Sequence, residues 1–218
     1  GDWSSDVCSS DLSRDEAGDR IVQQLVDRAP RHRLILSGAG TNTAIRSPIA
    51  AIRAGRGEEL PSILDRYAAA FSPLPNGMSL FEGPTAASVE HLGLLTTTLQ
   101  ESLLQSVSAR PAEPEVICVF PAWPKHWNAS FRLLARGGFL VTSRFDKGTV
   151  DFVEVESRLG EECRLRNPWQ RPCVVREGGG PPRLLEGDVL RFSTSQGTSY
   201  HVCPADSNCP ASKNPSSR

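Results

Sequence analysis

A chain of 218 residues carrying 24 Lys+Arg against 25 Asp+Glu has a formal net charge of −1. That balance gives no electrostatic argument for nucleic acid or an anionic membrane surface as a partner. At 39% hydrophobic residues the chain can bury a core, while charges and prolines interrupt every apolar run before the roughly 18 residues that a membrane helix needs.

Asp6-Val7-Cys8-Ser9-Ser10-Asp11-Leu12 resembles the translation of a short-read sequencing adapter. It has neither the charged start nor the apolar centre of a signal peptide. Residues 1–12 are therefore expected to be non-native, and the remainder to be the C-terminal piece of a longer protein. Without them the chain loses Asp2, Asp6, Asp11 and Cys8 and stays near neutral.

Residues 13–110 read as helices joined by loops. Ile21, Val22, Leu25 and Val26 share one helical face, and Pro30 ends that helix. Ser47-Pro48 starts a second, and Gly55 caps it. Leu60, Ile63, Leu64, Tyr67, Ala68 and Phe71 form the apolar face of a third, with Pro61 in its first turn. Residues 72–77 read as a loop. Leu92, Leu95, Leu99, Leu103 and Leu104 then predict a fourth helix, broken by Pro111 and Pro114.

The pattern changes at Glu115. Apolar or alternating runs at 116–120, 139–141, 150–155, 163–166, 173–175, 189–192 and 200–202 predict strands. Turns at 146–148, 178–180 and 186–188 give the spacing of an antiparallel sandwich over 115–203. Residues 204–218 are rich in Pro, Ser and Asn and read as a disordered tail. The β domain is long enough to fold by itself. The helices, with their apolar faces uncovered, are expected to be poorly stable alone.

The order of parts carries a resemblance. Leu103-Leu104-Gln105-Ser106, the 116–120 strand, Pro121-Ala122-Trp123-Pro124 and Leu133-Leu134-Ala135-Arg136-Gly137-Gly138-Phe139 are similar to the C-terminal part of glycoside hydrolase family 95, the alpha-fucosidase A-like group. The similarity extends over roughly 42–203 and is densest in 99–142. It implies an α+β multidomain architecture: terminal helices of an (α/α)6 barrel followed by a C-terminal antiparallel β-sandwich. It also implies an inverting hydrolase with a carbohydrate substrate, no cofactor, and a secreted or periplasmic setting. The remainder of the parent chain would be the protein partner, with neither nucleic acid nor membrane involved. Inversion places two carboxyl functions about 6.5–9.5 Å apart to admit the attacking water. The family's base is an aspartate in an Asp-Gly-Asn-Phe-Gly motif ahead of the Leu-Leu-Gln-Ser helix. Counting back from Leu103-Leu104 brings Glu90-His91-Leu92-Gly93 onto that motif. Glu90 is thus the candidate catalytic base, longer by a methylene and without the motif's asparagine. The general acid and the assisting asparagines fall upstream of this chain, so the fragment alone is expected to be inactive.

Each candidate has a plainer reading. Glu90 equally suits a carboxylate at the positive end of a helix. His91 is a candidate for orienting a sugar hydroxyl, against an ordinary surface histidine. Trp123 and Trp127 are candidates for stacking on a sugar, against packing as a wedge between domains, which tryptophans do more often. Asn42, ahead of a helix, is a cap or a pocket-lining residue. Asn128-Ala129-Ser130 fits a glycosylation acceptor in a eukaryotic secretory route. Cys163, Cys173, Cys203, Cys209 and His201 lack the Cys-x2-Cys spacing of a zinc site, so no metal is expected. Cys203 and Cys209 are placed to pair in an oxidising compartment.

Overall fold

The computed structural model describes residues 47–71, 74–76, 78, 90–108, 113–178 and 180–207; the side chains of 47, 66–71 and 90–92 are outside that description. The expectations for 1–12, for the first helix and for Asn42 lie outside the described residues. The chain forms two compact units, one mostly helical and one of β-structure.

In the helical unit, α1 runs over Ser47–Arg53 and α2 over Leu60–Phe71, with a 3-10 turn at Gly57–Glu59 between them. Pro48 and Pro61 sit in first turns, where the missing N–H has no intrahelical acceptor. Gly55 takes φ +77° and donates its N–H to the Ile52 carbonyl at 3.0 Å, the left-handed ending that glycine makes cheaply. Ala51, Ile52, Leu60 and Ile63 are buried. The third helix, α3, is Glu90–Leu103. Its buried hydroxyls are satisfied within the helix: Thr98 donates to the Leu94 carbonyl and Ser102 to that of Leu99. The Arg53 guanidinium clamps the Glu101 carboxylate through two bonds of 2.8 and 3.1 Å, tying α1 to α3.

Residues 121–124 belong to this helical unit, although strands precede and follow them in sequence. Ala122 and Pro124 are buried. A Cβ on Gly57 would lie 2.6 Å from the Ala122 carbonyl carbon and 2.8 Å from the Trp123 nitrogen. The turn and the Pro121-Ala122-Trp123-Pro124 segment therefore touch backbone to backbone, which only glycine permits.

The β unit contains ten strands among the described residues. β1 (Leu104–Val107), β2 (Val116–Val119), β6 (Cys163–Arg166) and β9 (Val189–Phe192) make a four-stranded sheet in the order β1-β2-β6-β9. β3 (Ala129–Ala135), β4 (Phe139–Asp146), β5 (Thr149–Ser157), β7 (Cys173–Glu177), β8 (Arg183–Leu185) and β10 (Thr198–Pro204) make a six-stranded sheet in the order β3-β4-β5-β10-β7-β8. Alternation fills the core. Phe139, Val141, Ser143 and Phe145 are buried along β4, as are Val153 and Val155 on β5 and Tyr200 and Val202 on β10. Cys163, Leu165, Leu190 and Phe192 are buried on the smaller sheet. Rings join the sheets where Phe192 meets Tyr200 at 5.5 Å, and the Tyr200 hydroxyl accepts the Ser195 N–H at 2.8 Å.

Three features depart from the sequence expectation. Leu104 is not the end of the leucine helix; it opens β1, paired to Val119. The sandwich is not wholly antiparallel, because β6 runs parallel to β2. Three strands of the other sheet separate β2 from β6 in sequence, and only a tight hairpin would have forced antiparallel pairing. Finally, β10 continues through Pro204, and Ala205 donates its N–H to the Pro172 carbonyl at 3.0 Å, so ordered structure extends past the expected start of the tail.

Gly57→Ala should lower the melting temperature of the helical unit, since a backbone contact of 2.6 Å has no side chain to yield. The expected cost is about 1–3 kcal/mol. A thermal melt within a degree of the wild type would show that the turn moves aside.

Candidate functional site

α3 opens on Glu90 itself, with His91 as its second residue. A helix N-terminus favours a negatively charged residue through its dipole. The side chains of both residues are outside the described part. Trp123 is half-buried beside Ala122 in the helical unit, whereas Trp127 is half-buried in the β unit. The two tryptophans considered together in the sequence therefore belong to different compact units.

One end of the β unit gathers several loops. The strand pairings bring the start of β3, the β4–β5 turn, the start of β7 and the end of β10 to the same end of the large sheet. The 125–128 segment holds the β4–β5 turn: Asn128 Oδ1 accepts the Lys147 N–H at 3.1 Å. Lys147 turns the chain at φ +51°, and Gly148 follows at φ +82°. The Trp127 ring meets the exposed His126 edge-on at 5.9 Å.

Asn167 organises the neighbouring β6–β7 loop. Its side-chain amide donates to the carbonyls of Arg171 and Gly187, at 2.9 and 3.0 Å, and its Oδ1 accepts the Trp169 N–H at 3.1 Å. Its own N–H donates to the Asp188 carbonyl. The Trp169 indole Nε1–H donates to the Val150 carbonyl at 2.6 Å, directly beyond the β4–β5 turn. Gln170 takes φ +53° with an exposed side chain. Arg171 pairs with Asp206 at 2.9 Å. Sequence reasoning did not single out Trp169. The available signal was Asn167-Pro168 just before it, a turn start with an asparagine able to cap its own loop.

A second cluster occupies the outer face of the large sheet. His201 on β10 lies opposite Glu154 of β5 and Arg176 of β7. Its ring stacks on Phe152 at 5.3 Å, and the Arg144 guanidinium lies 5.9 Å from the same Phe152 ring. His201 is buried, and neither ring nitrogen has a hydrogen-bond partner. Burial, then the Arg176 charge, hold its pKa below the ordinary imidazole value. Burial raises the Glu154 carboxyl, against the nearby Arg132 charge and with that of Glu156.

Among the described residues no group of three or more His, Cys, Asp and Glu side chains is gathered to hold a metal, and no helix is long and apolar enough to cross a membrane. Cys118 and Cys203 are each engaged in a disulfide. Cys163 and Cys173 are free and buried; burial pushes the Cys173 thiol up to about 11, so neither an exposed thiolate nor a redox pair is formed there. Cys209 lies outside the described residues. Asn128 is exposed, and its side-chain oxygen is engaged by Lys147.

The architecture is that of a two-sheet β domain attached to a helical unit, with tryptophan-bearing loops at one end. Residues 112–202 match the family model of the glycoside hydrolase family 95 C-terminal domain. The match runs from just before β2 into β10 and covers less than half of the chain. It supports a glycoside hydrolase fragment with a carbohydrate substrate. The helical unit with Glu90 and His91 falls outside the match. No curated protein matches the chain.

The His201 geometry sets a pH dependence. In the unfolded chain the imidazole protonates near its ordinary 6.5, and in the fold only at lower pH. As pH falls below about 6.5 the unfolded state takes up the proton first, so stability is lost downward from there until the folded imidazole itself titrates. Urea unfolding at pH 7.5 and 5.5 should show the loss, and His201→Gln should reduce it. An equal pH slope in both proteins would contradict the assignment.

Proposed function

We propose that this chain is the C-terminal part of an inverting glycoside hydrolase acting on alpha-fucosides, with Glu90 as the base that activates water. The match of 112–202 to a glycoside hydrolase C-terminal domain carries this reading. The position of Glu90 supports it: the residue sits at the first turn of α3, fourteen residues long, whose end leads directly into β1, the strand paired to β2 at the start of the matched region. His91 beside it orients a sugar hydroxyl, and Trp123, in the same unit, offers a ring face to the substrate. The general acid belongs to the parent chain upstream, so the fragment alone does not turn over.

A second reading is a non-catalytic relative that binds or scaffolds sugar. It is favoured by the change at the motif, where Glu90 stands for the family's aspartate and the motif's asparagine is lost.

In the full-length parent, Glu90→Gln should lower kcat on an aryl glycoside by roughly 10²–10⁴-fold, the usual contribution of a positioned base. The melting temperature should change little. An unchanged kcat would remove Glu90 from the mechanism, and a parent without turnover would favour the sugar-binding reading.

A further inference from the structure

We infer that the end of the β unit carrying Trp127 and Trp169 is an ancillary oligosaccharide-binding site. The inference rests on the carbohydrate reading above and extends it to a surface within the β unit, formed by residues of that unit alone. Sugar rings present apolar C–H faces bordered by hydroxyls, so they are recognised by aromatic faces flanked by planar polar groups. This end supplies both. Trp127 and Trp169 are each half-buried rather than enclosed. His126, Lys147, Gln170 and Arg171 surround them and are exposed.

The two rings are placed by one shared element. The β4–β5 turn is bonded to Asn128, next to Trp127, through the Lys147 N–H at 3.1 Å. At Val150 the strand that follows it accepts the Trp169 indole N–H at 2.6 Å. The backbone of 125–128 closes on the same turn, since a Cβ on Gly148 would lie 3.6 Å from the Lys125 carbonyl oxygen. Trp169 is fixed at its backbone as well, by Asn167 Oδ1. A ring held at both the amide and the indole N–H loses little entropy when a ligand stacks on it. Gln170 is held in a left-handed conformation, φ +53°, that a non-glycine residue seldom adopts. That conformation presents an amide side chain to solvent beside Trp169. The Arg171 guanidinium is oriented by Asp206 at 2.9 Å. Among the described residues, the opposite end of the large sheet, with the turns at 136–138 and 158–160, carries no tryptophan.

The test uses the whole 218-residue chain with three probes: fucosyllactose, cellohexaose and laminarihexaose. Binding is read by tryptophan fluorescence and by saturation-transfer NMR. The wild type should bind at least one probe, and Trp169→Ala should weaken that binding about tenfold, the worth of a stacked aromatic contact. Gln170→Ala and Arg171→Ala alter exposed side chains and keep the test informative if Trp169→Ala is unstable; each should weaken binding about threefold, the worth of a solvent-exposed hydrogen bond. Arg158→Ala, at the opposite end, should leave it unchanged. Failure of the wild type to bind any probe, or undiminished binding by the Trp169, Gln170 and Arg171 variants, would overturn the inference. Turnover of an aryl glycoside by the full-length parent reads the proposed function separately: a parent that turns over while this chain binds no probe overturns the ancillary site alone.

Discussion

The backbone bond from the Phe120 N–H to the Leu103 carbonyl, 2.7 Å long, fixes where helix gives way to sheet. It adds one step to the β1–β2 ladder, whose pairs run from Leu104 with Val119 to Val107 with Val116. Once Leu104 pairs with Val119, the helix cannot take another turn without stripping β2 of its partner. All four β2 residues are buried, and a buried backbone group left without a partner costs about 1–3 kcal/mol. The ladder therefore outweighs the modest helix propensity of Leu104 and Gln105. Both are buried in the strand, Gln105 at 2% exposure.

The same junction explains the turn that follows. Phe120 takes φ +50°, a conformation an aromatic residue adopts only under constraint. Its ring lies 5.0 Å from Phe131 and 5.2 Å from Phe145, so packing on the large sheet holds the strained backbone in place. The chain then enters Pro121–Pro124, four residues that belong to the helical unit, where Gly57 meets the Ala122 backbone. The Pro-Ala-Trp-Pro element is thus a structural insertion with a specific receiving surface in its own unit. That gives a physical reason for small residues at both Gly57 and Ala122.

What the sequence made legible follows from how local each signal is. Ser47-Pro48 and Gly55 mark the ends of a helix through their own backbone chemistry, and α1 starts and stops with them. The apolar run at 116–120 and the alternation at 163–166 and 189–192 each mark a strand. β1 was hidden because four residues with two leading apolar positions fit a helix end as well as a strand, and only pairing with β2 decides. β3 was hidden because Leu134 points to the exposed face, at 61% exposure, and breaks the alternation of Phe131 and Ala135. The parallel β2–β6 pair could not be read at all, since register between distant strands has no local signature. The candidate site divides in the same way. Glu90 was reachable by counting from a motif, and it does open a helix. Trp169 and His201 gain their interest from Val150 and from Phe152, Glu154 and Arg176, residues distant in sequence.

The proposed function requires hydrolysis with inversion at the anomeric carbon of the sugar. The most direct measurement follows the anomeric proton of the product by NMR during the first minutes of hydrolysis by the full-length parent, before mutarotation mixes the anomers. The account predicts that the free sugar first appears with the configuration opposite to that of the substrate. Product released first in the substrate's own configuration would contradict it, because in a retaining reaction a carboxylate itself attacks the anomeric carbon first and water enters only to hydrolyse the glycosyl-enzyme intermediate.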